Sequence, residues 1–120
     1  MGATIYVVDD DSGMRVGIDS LLRSAGYEVM AFETADAILR PGGLDAADCL
    51  ILDVRLSSGN GLDIHNALRA RRIFTPIILI SGNADSAMRY RVQSSGVSEF
   101  LEKPFRDEDL LASVHKAVEG

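Results

Sequence analysis

Short apolar runs alternate along the chain with segments in which apolar residues recur every three or four positions. The runs are rich in β-branched residues and predict five strands, and the intervening periodicity predicts five helices. The predicted strands are Ala3–Val8, Tyr27–Phe32, Asp48–Asp53, Pro76–Ser81 and Val97–Glu102, and the predicted helices are Ser12–Ala25, Ala35–Leu39, Leu62–Arg71, Ala84–Ser95 and Asp107–Glu119.

Five successive strand–helix units predict an α/β fold with a doubly wound, five-stranded parallel sheet, (βα)5, as the middle of a three-layer sandwich. The run Asp48–Asp53 is almost entirely apolar, as expected for a strand that is buried on both faces. Thr34 is a candidate cap for the second helix, and Gly59–Gly61 reads as a turn before the third. The whole length, residues 1–120, is expected to form one domain.

Charge and composition narrow the class of function. The net charge of −6 disfavours a nucleic-acid surface. The longest basic cluster, Arg69–Arg72, is short and is interpreted as a solvated helix end. No apolar run approaches the ~20 residues that a membrane span needs, and no signal-peptide pattern precedes the first strand. The single cysteine, Cys49, lies in an apolar run and is expected to be a buried small hydrophobe. A lone cysteine also fits a protein of the reducing cytoplasm.

Polar residues stand where the predicted strands end. In doubly wound sheets the chemistry collects at the carboxyl ends of the strands. The residues that arrive there are Asp9, Asp10, Asp53, Ser81 and Lys103. Three carboxylates in one pocket repel each other unless a cation offsets them, and Mg²⁺ suits a site with few carboxylates and several waters. With an ammonium and a hydroxyl added, the set describes a pocket for a transferring phosphoryl group, with an Asp as its nucleophile.

The triplet Asp9-Asp10-Asp11 divides between two roles. Asp9 and Asp10 close the first strand and belong to the predicted cation site. Asp11, with Ser12, is expected to cap the helix that follows.

The chain resembles the receiver domain of two-component response regulators, the CheY-like family. The resemblance covers essentially the whole chain and rests on four motifs at the expected order and spacing. They are "VVDDD", "LILDVRLSSGNG", "LISGNA" and "EFLEKPF". Any one of them is a weak signal, but the four together are specific. The resemblance implies the flavodoxin-like/CheY-like form of the (βα)5 sandwich.

The resemblance also implies roles for individual residues. Asp53 would accept a phosphoryl group from a sensor histidine kinase. The hydroxyl of Ser81 would move to that group, and Lys103 would be its counter-charge. Phe100 would be the switch aromatic whose rotamer changes with Ser81. The bond between Lys103 and Pro104 would match a Lys-Pro bond that is often cis in the family.

The metal ligands implied by the resemblance are Asp9, Asp10, Asp53 and the backbone carbonyl of Arg55. Asp10 would bind Mg²⁺ directly and Asp9 through water. Mn²⁺ or Ca²⁺ can take the place of Mg²⁺ in crystals.

The expected output is a binding face formed by residues 84–95, 97–102 and 107–119, and phosphorylation is expected to promote a homodimer through it. The segment "SEFLEKPF" is similar to receivers of the FixJ/NarL type, which are often joined to a helix-turn-helix DNA-binding domain. Control of transcription by a domain outside this chain is therefore expected, with a stand-alone receiver as the alternative. The receiver itself would contact neither nucleic acid nor membrane, and it would be a switch rather than an enzyme with a separate substrate.

One stretch departs from the family pattern, and several other side chains are given no role in the chemistry. Many relatives have Met-Pro where this chain has Leu56-Ser57, which concerns the loop conformation after Asp53 more than the chemistry. Arg55 and Asn83 occupy positions that influence the phosphoryl lifetime in the family. The remaining side chains of interest are interpreted as surface residues, namely His65, His115 and Tyr90, or as core filling, namely Met14 and Met88.

Three alternatives are weighed against this reading. A flavodoxin-type cofactor binder needs a Ser/Thr/Gly-rich phosphate loop after the first strand, where acids stand instead. A hydrolase of the haloacid dehalogenase type needs a second Asp two residues after its nucleophile, but Asp53 is followed by Val54-Arg55. A degenerate receiver that only docks a partner is disfavoured by the complete set of strand-end residues.

Overall fold

The computed structural model describes residues 2–56, 59–82, 85–97 and 99–119. The strands of the main sheet are β1 Thr4–Val8, β2 Glu28–Phe32, β3 Cys49–Asp53, β4 Ile77–Ser81 and β5 Glu99–Glu102. The helices are α1 Ser12–Ser24, α2 Asp36–Leu39, α3 Gly61–Ala70, α4 Ser86–Ser94 and α5 Asp107–Glu119. The predicted order of strands and helices is therefore confirmed.

All five strands are parallel and lie in the order β2-β1-β3-β4-β5. The chain passes from β1 to β2 on one side of β1 and then crosses back to β3 on its other side, so the strand order reverses between β1 and β3. In doubly wound sheets a crevice opens at the carboxyl ends of the two strands that flank such a reversal. β3 and β4 are buried along their full length, as their apolar sequences predict.

Alternate strand residues pack into two separate cores. One face of the sheet, with Leu50 and Leu52 of β3, packs against α2, α3 and α4. The other face, with Cys49 and Ile51, packs against α1 and α5. Met14 is partly buried against the second core and Met88 against the first, which confirms their interpretation as core filling.

Helix α1 begins as the sequence predicts. The Oδ1 atom of Asp11 accepts hydrogen bonds from the amides of Gly13 at 2.9 Å and Met14 at 3.3 Å. These bonds satisfy two of the backbone donors that every helix leaves open at its start. Asp11 is thus the N-cap, and it is separate from the two acids before it.

Some local predictions are wrong. The cap of α2 is Ala35, without a side-chain hydrogen bond, so Thr34 does not cap the helix. Gly59–Asn60 forms a two-residue antiparallel ladder with Arg55–Leu56 rather than a simple turn. Four residues are too few for strand periodicity to show in a sequence. The start of the predicted fourth helix at Ala84, and the loop residues Ser57, Ser58 and Asn83, lie outside the described residues.

Within the described ranges, no helix combines the length and apolar character that crossing a membrane requires.

Candidate functional site

Lys103 joins two of the predicted acids at the carboxyl edge of the sheet. Its Nζ lies 3.2 Å from Oδ2 of Asp53 and 3.7 Å from Oδ2 of Asp9. Asp9 follows β1, Asp53 ends β3 and Lys103 follows β5, so three strands deliver one charge each to the same place. The ammonium offsets part of the repulsion between the two carboxylates.

Asp9 is fully buried and firmly held. Its amide donates to the carbonyl of Phe32 at 3.1 Å, and its Oδ1 accepts from the amide of Asp11 at 2.9 Å. Its Oδ2 makes no hydrogen bond to any described residue. Burial raises the pKa of Asp9 and the charge of Asp53 adds to the rise, while the hydrogen bond from Asp11 and the charge of Lys103 oppose it. An unbonded oxygen of this kind is well suited to a cation or to water.

Asp53 is held by the backbone around it. Its Oδ1 accepts from the amide of Arg55 at 2.9 Å, which leaves Oδ2 directed to Lys103. Gly61 packs directly behind it, because a Cβ at position 61 would lie 2.3 Å from the carbonyl oxygen of Asp53. The amide of Gly61 also donates to the carbonyl of Val54 at 2.7 Å. Only glycine lets the start of α3 approach the end of β3 this closely.

Asp9, Asp10 and Asp53 form a group that could hold a metal ion. Each offers a carboxylate oxygen, and these oxygens lie within 4.8 Å of one another. Asp10 is more exposed than the other two, so the group is open to solvent on one side. The donors are all hard oxygens, and an open side leaves room for water ligands, which fits the preferences of Mg²⁺.

Ser81 ends β4 beside this group and is buried. Its carbonyl accepts a hydrogen bond from the amide of Lys103 at 2.7 Å. This bond ties the ends of β4 and β5 together, so the predicted hydroxyl and the predicted counter-charge sit on directly linked backbone. The bond between Lys103 and Pro104 is cis. Phe100, on β5, is partly buried against the core beneath α2, α3 and α4.

Arg15 is a site residue that sequence reasoning missed. From the first turns of α1, its Nη1 donates to the carbonyl of Asp9 at 2.7 Å. It fixes the backbone of the strand end from which Asp9 and Asp10 project. Its position four residues after the N-cap Asp11, on the same side of the helix, is the only hint in the sequence.

The prediction that His65 lies on the surface is wrong. The side chain is 1% exposed, its Nδ1 lies 3.0 Å from Oδ1 of Asn66, and its Nε2 has no hydrogen-bond partner among described residues. Burial lowers its pKa below the ordinary value. His115 is exposed, as predicted, and Tyr90 is 72% exposed.

The basic cluster is not simply solvated. Arg69 donates to the carbonyls of Ile73 and Thr75, and Arg71 donates to the carbonyl of Leu39. Arg69 thus closes the loop after α3, and Arg71 joins the end of α3 to the last residue of α2. Cys49 is fully buried, as predicted, and burial raises the pKa of its thiol to about 12.

Comparisons with known proteins agree with this geometry. Residues 5–115 match the family model for the response regulator receiver domain. The chain is 44% identical over 117 residues to nodulation protein W of Bradyrhizobium diazoefficiens, covering 98% of this chain and 52% of that protein. It is 34% identical over 114 residues to the transcriptional regulatory protein FixJ of the same organism, covering 95% of this chain and 56% of that protein.

The crystal structure of FixJ-N superimposes with a TM-score of 0.87 at 28% identity, covering 99% of this chain and 95% of that one. The chain spans about half the length of the curated relatives it matches. The family model, the relatives and the arrangement of acids and lysine at the sheet edge all lead to one assignment: the chain belongs to the response regulator receiver domain family.

Proposed function

We propose that Asp53 accepts a phosphoryl group from a sensor histidine kinase and that the domain acts as a phosphorylation-controlled switch. The observation that carries this proposal is the contact of one ammonium, that of Lys103, with the carboxylates of both Asp53 and Asp9. An ammonium in this position can pair with the negative charge of a phosphoryl group on Asp53.

The proposed ligands of Mg²⁺ are the carboxylates of Asp9, Asp10 and Asp53, together with the backbone carbonyl of Arg55. The spacing of the carboxylate oxygens and the unbonded Oδ2 of Asp9 support this set. When bound, Mg²⁺ supplies positive charge to the phosphoryl oxygens during transfer.

In the proposed reaction, an oxygen of the Asp53 carboxylate attacks the phosphorus of a phosphohistidine. The new O–P bond makes an acyl phosphate, and the broken P–N bond leaves its electron pair on the imidazole nitrogen. Lys103 stays within reach of the phosphoryl oxygens because its amide is bonded to Ser81. Hydrolysis of the acyl phosphate resets the domain, so it turns over no separate substrate.

The proposed switch involves Ser81 and Phe100. The hydroxyl of Ser81 donates to a phosphoryl oxygen, and Phe100 changes rotamer in the space that this movement leaves. The rearrangement biases the face formed by α4, β5 and α5, through which a homodimer can form. The name of the relative FixJ, a transcriptional regulatory protein, supports an output in transcription through a DNA-binding domain outside these residues.

The test is intact-protein mass spectrometry after incubation with acetyl phosphate and Mg²⁺. The proposal predicts a mass gain of one phosphoryl group that EDTA prevents and that alkaline hydroxylamine removes, as it does from acyl phosphates. A wild-type chain that gains no phosphoryl group under these conditions would contradict the proposal. It would favour a receiver that only docks a partner.

A further inference from the structure

Helix α4 is joined to β5 by a bidentate ion pair between Arg89 and Glu102. Nη2 of Arg89 lies 3.1 Å from Oε2 of Glu102, and Nε of Arg89 lies 2.5 Å from Oε1 of the same carboxylate. A guanidinium that meets a carboxylate with two nitrogens fixes both distance and orientation. The side chains are 51% and 40% exposed, so the pair is open to water.

Apolar packing holds α4 only weakly. Among the described side chains of Ser86–Ser94, Val92 is the one that is buried, and Met88 is partly buried against the core. A helix with so few apolar contacts has a low free energy of local displacement. Polar links to neighbouring elements therefore make up a larger share of its attachment than they do for α1 or α5.

Two such links exist among the described residues, and they lead to different neighbours. Arg89 reaches β5, whereas Nη2 of Arg91 reaches Oδ1 of Asp63 on α3 at 3.3 Å. The two arginines are similarly exposed, at 51% and 50%. Only the first link touches β5, the strand that carries the predicted switch residue Phe100.

Glu102 occupies a particular place on that strand. Side chains alternate along a strand, so Glu102 and Phe100 lie on the same face of β5, the one toward α4. Glu102 also pairs in register with Ser81 and immediately precedes Lys103. The ion pair therefore spans α4 and β5 beside Phe100, at the strand end where Ser81 and Lys103 are bonded to each other.

We propose that the Arg89–Glu102 ion pair is a latch that holds α4 against β5 in the unphosphorylated domain and so opposes the switch. The inference rests on the proposed function for its activated state. The latch stabilises the conformation in which it forms, and its loss shifts the two-state equilibrium toward the conformation that a phosphoryl group favours.

The first test measures the affinity of beryllofluoride, an analogue of the phosphoryl group, by calorimetry in saturating Mg²⁺. Exposed ion pairs are weak, so Arg89→Gln should tighten beryllofluoride binding by only about 2- to 5-fold. Glu102→Gln should tighten it equally, and the double variant should add nothing further. Arg91→Gln is the matched control and should bind like the wild type. Unchanged affinity in Arg89→Gln, or an equal gain in Arg91→Gln, would overturn the latch.

A second test needs no ligand. Hydrogen exchange of the α4 amides in the free protein should be several-fold faster in Arg89→Gln than in the wild type, with the peptides of β1 and β3 unchanged. Exchange that is unaltered in α4 would also overturn the latch. Failure of the wild type to bind beryllofluoride would instead count against the proposed function, and the exchange result would still decide whether the ion pair restrains α4.

Discussion

The Nζ atom of Lys103 lies 3.2 Å from Oδ2 of Asp53, although 50 positions separate the two residues in the chain. The same nitrogen lies 3.7 Å from Asp9. A divalent cation bound to these carboxylates would be repelled by the ammonium of Lys103.

Replacing Lys103 with Met should strengthen Mg²⁺ binding by several-fold, because the metal no longer competes with a resident positive charge. The same variant should accept a phosphoryl group from acetyl phosphate at least about 10-fold more slowly, because the charge that faces the transferring group is lost. Calorimetry measures the first effect and intact mass over time the second. Lys116→Met is the control, because Lys116 on α5 pairs with Glu99 of β5 and with neither of the site's carboxylates, Asp9 and Asp53. A Lys103→Met variant with weaker Mg²⁺ binding would contradict the proposed geometry.

Asp9→Asn should stabilise the metal-free protein at neutral pH. Burial raises the pKa of Asp9 in the folded state, so between the unfolded and folded pKa values the folded chain binds more protons and stability falls as pH rises. The side chain of Asn does not titrate, so the variant keeps the stability that the wild type loses. Its free energy of unfolding in urea at pH 7 should be higher by an amount on the order of 1 kcal/mol. Added Mg²⁺ should reverse the ranking by stabilising the wild type more than the variant, which keeps only two of the three carboxylates. A variant that is less stable than the wild type in EDTA would show that Asp9 is not strained by its neighbours.

Gly61→Ala should destabilise the fold by roughly 1–3 kcal/mol, the usual cost of forcing an extra methyl group into a packed site. The new Cβ would clash with the carbonyl of Asp53, at 2.3 Å. Gly17→Ala is the matched control, because Gly17 is exposed in α1 and a Cβ there meets nothing within 4 Å. That substitution should stabilise the protein by about 0.5–1 kcal/mol. Equal urea midpoints for the two variants would contradict the close packing of α3 on the end of β3.

Acid should destabilise the protein through His65. Its pKa is lowered in the folded state, first by burial and further by the charge of Arg69, with the contact to Asn66 opposing the shift. The unfolded chain therefore binds the proton first, and stability falls as pH drops from about 6.5, the ordinary pKa of histidine, through the lower folded value. His65→Gln should flatten the fall in Tm between pH 7 and 5. An identical slope in the wild type and the variant would show that His65 is not protonated on unfolding.

The sequence predicts the sheet and most helices because strands buried on both faces are almost continuously apolar, as in Cys49–Asp53 and Ile77–Ser81. It also predicts which residues meet, because parallel strands end at one edge. His65 shows how polarity can mislead. It lies three positions after Leu62 and three before Leu68, on the buried side of α3, so helical spacing indicates burial where residue type does not.

Other relationships were beyond the sequence. Arg89 and Glu102 are 13 residues apart in different elements, and only the packing of α4 beside β5 brings them together. The link from Arg15 to the carbonyl of Asp9 likewise depends on the angle at which α1 leaves the strand. Neither contact follows from periodicity or from the charges alone.

The central claim is that Asp53, and none of the acids beside it, carries the phosphoryl group. The most direct measurement treats the protein with acetyl phosphate and Mg²⁺, reduces the acyl phosphate with borohydride and maps the peptides by mass spectrometry. Reduction converts an aspartyl phosphate to homoserine. The account predicts homoserine at position 53 in the wild type and none in Asp53→Asn. Homoserine at position 9 or 10, or at no position, would contradict it.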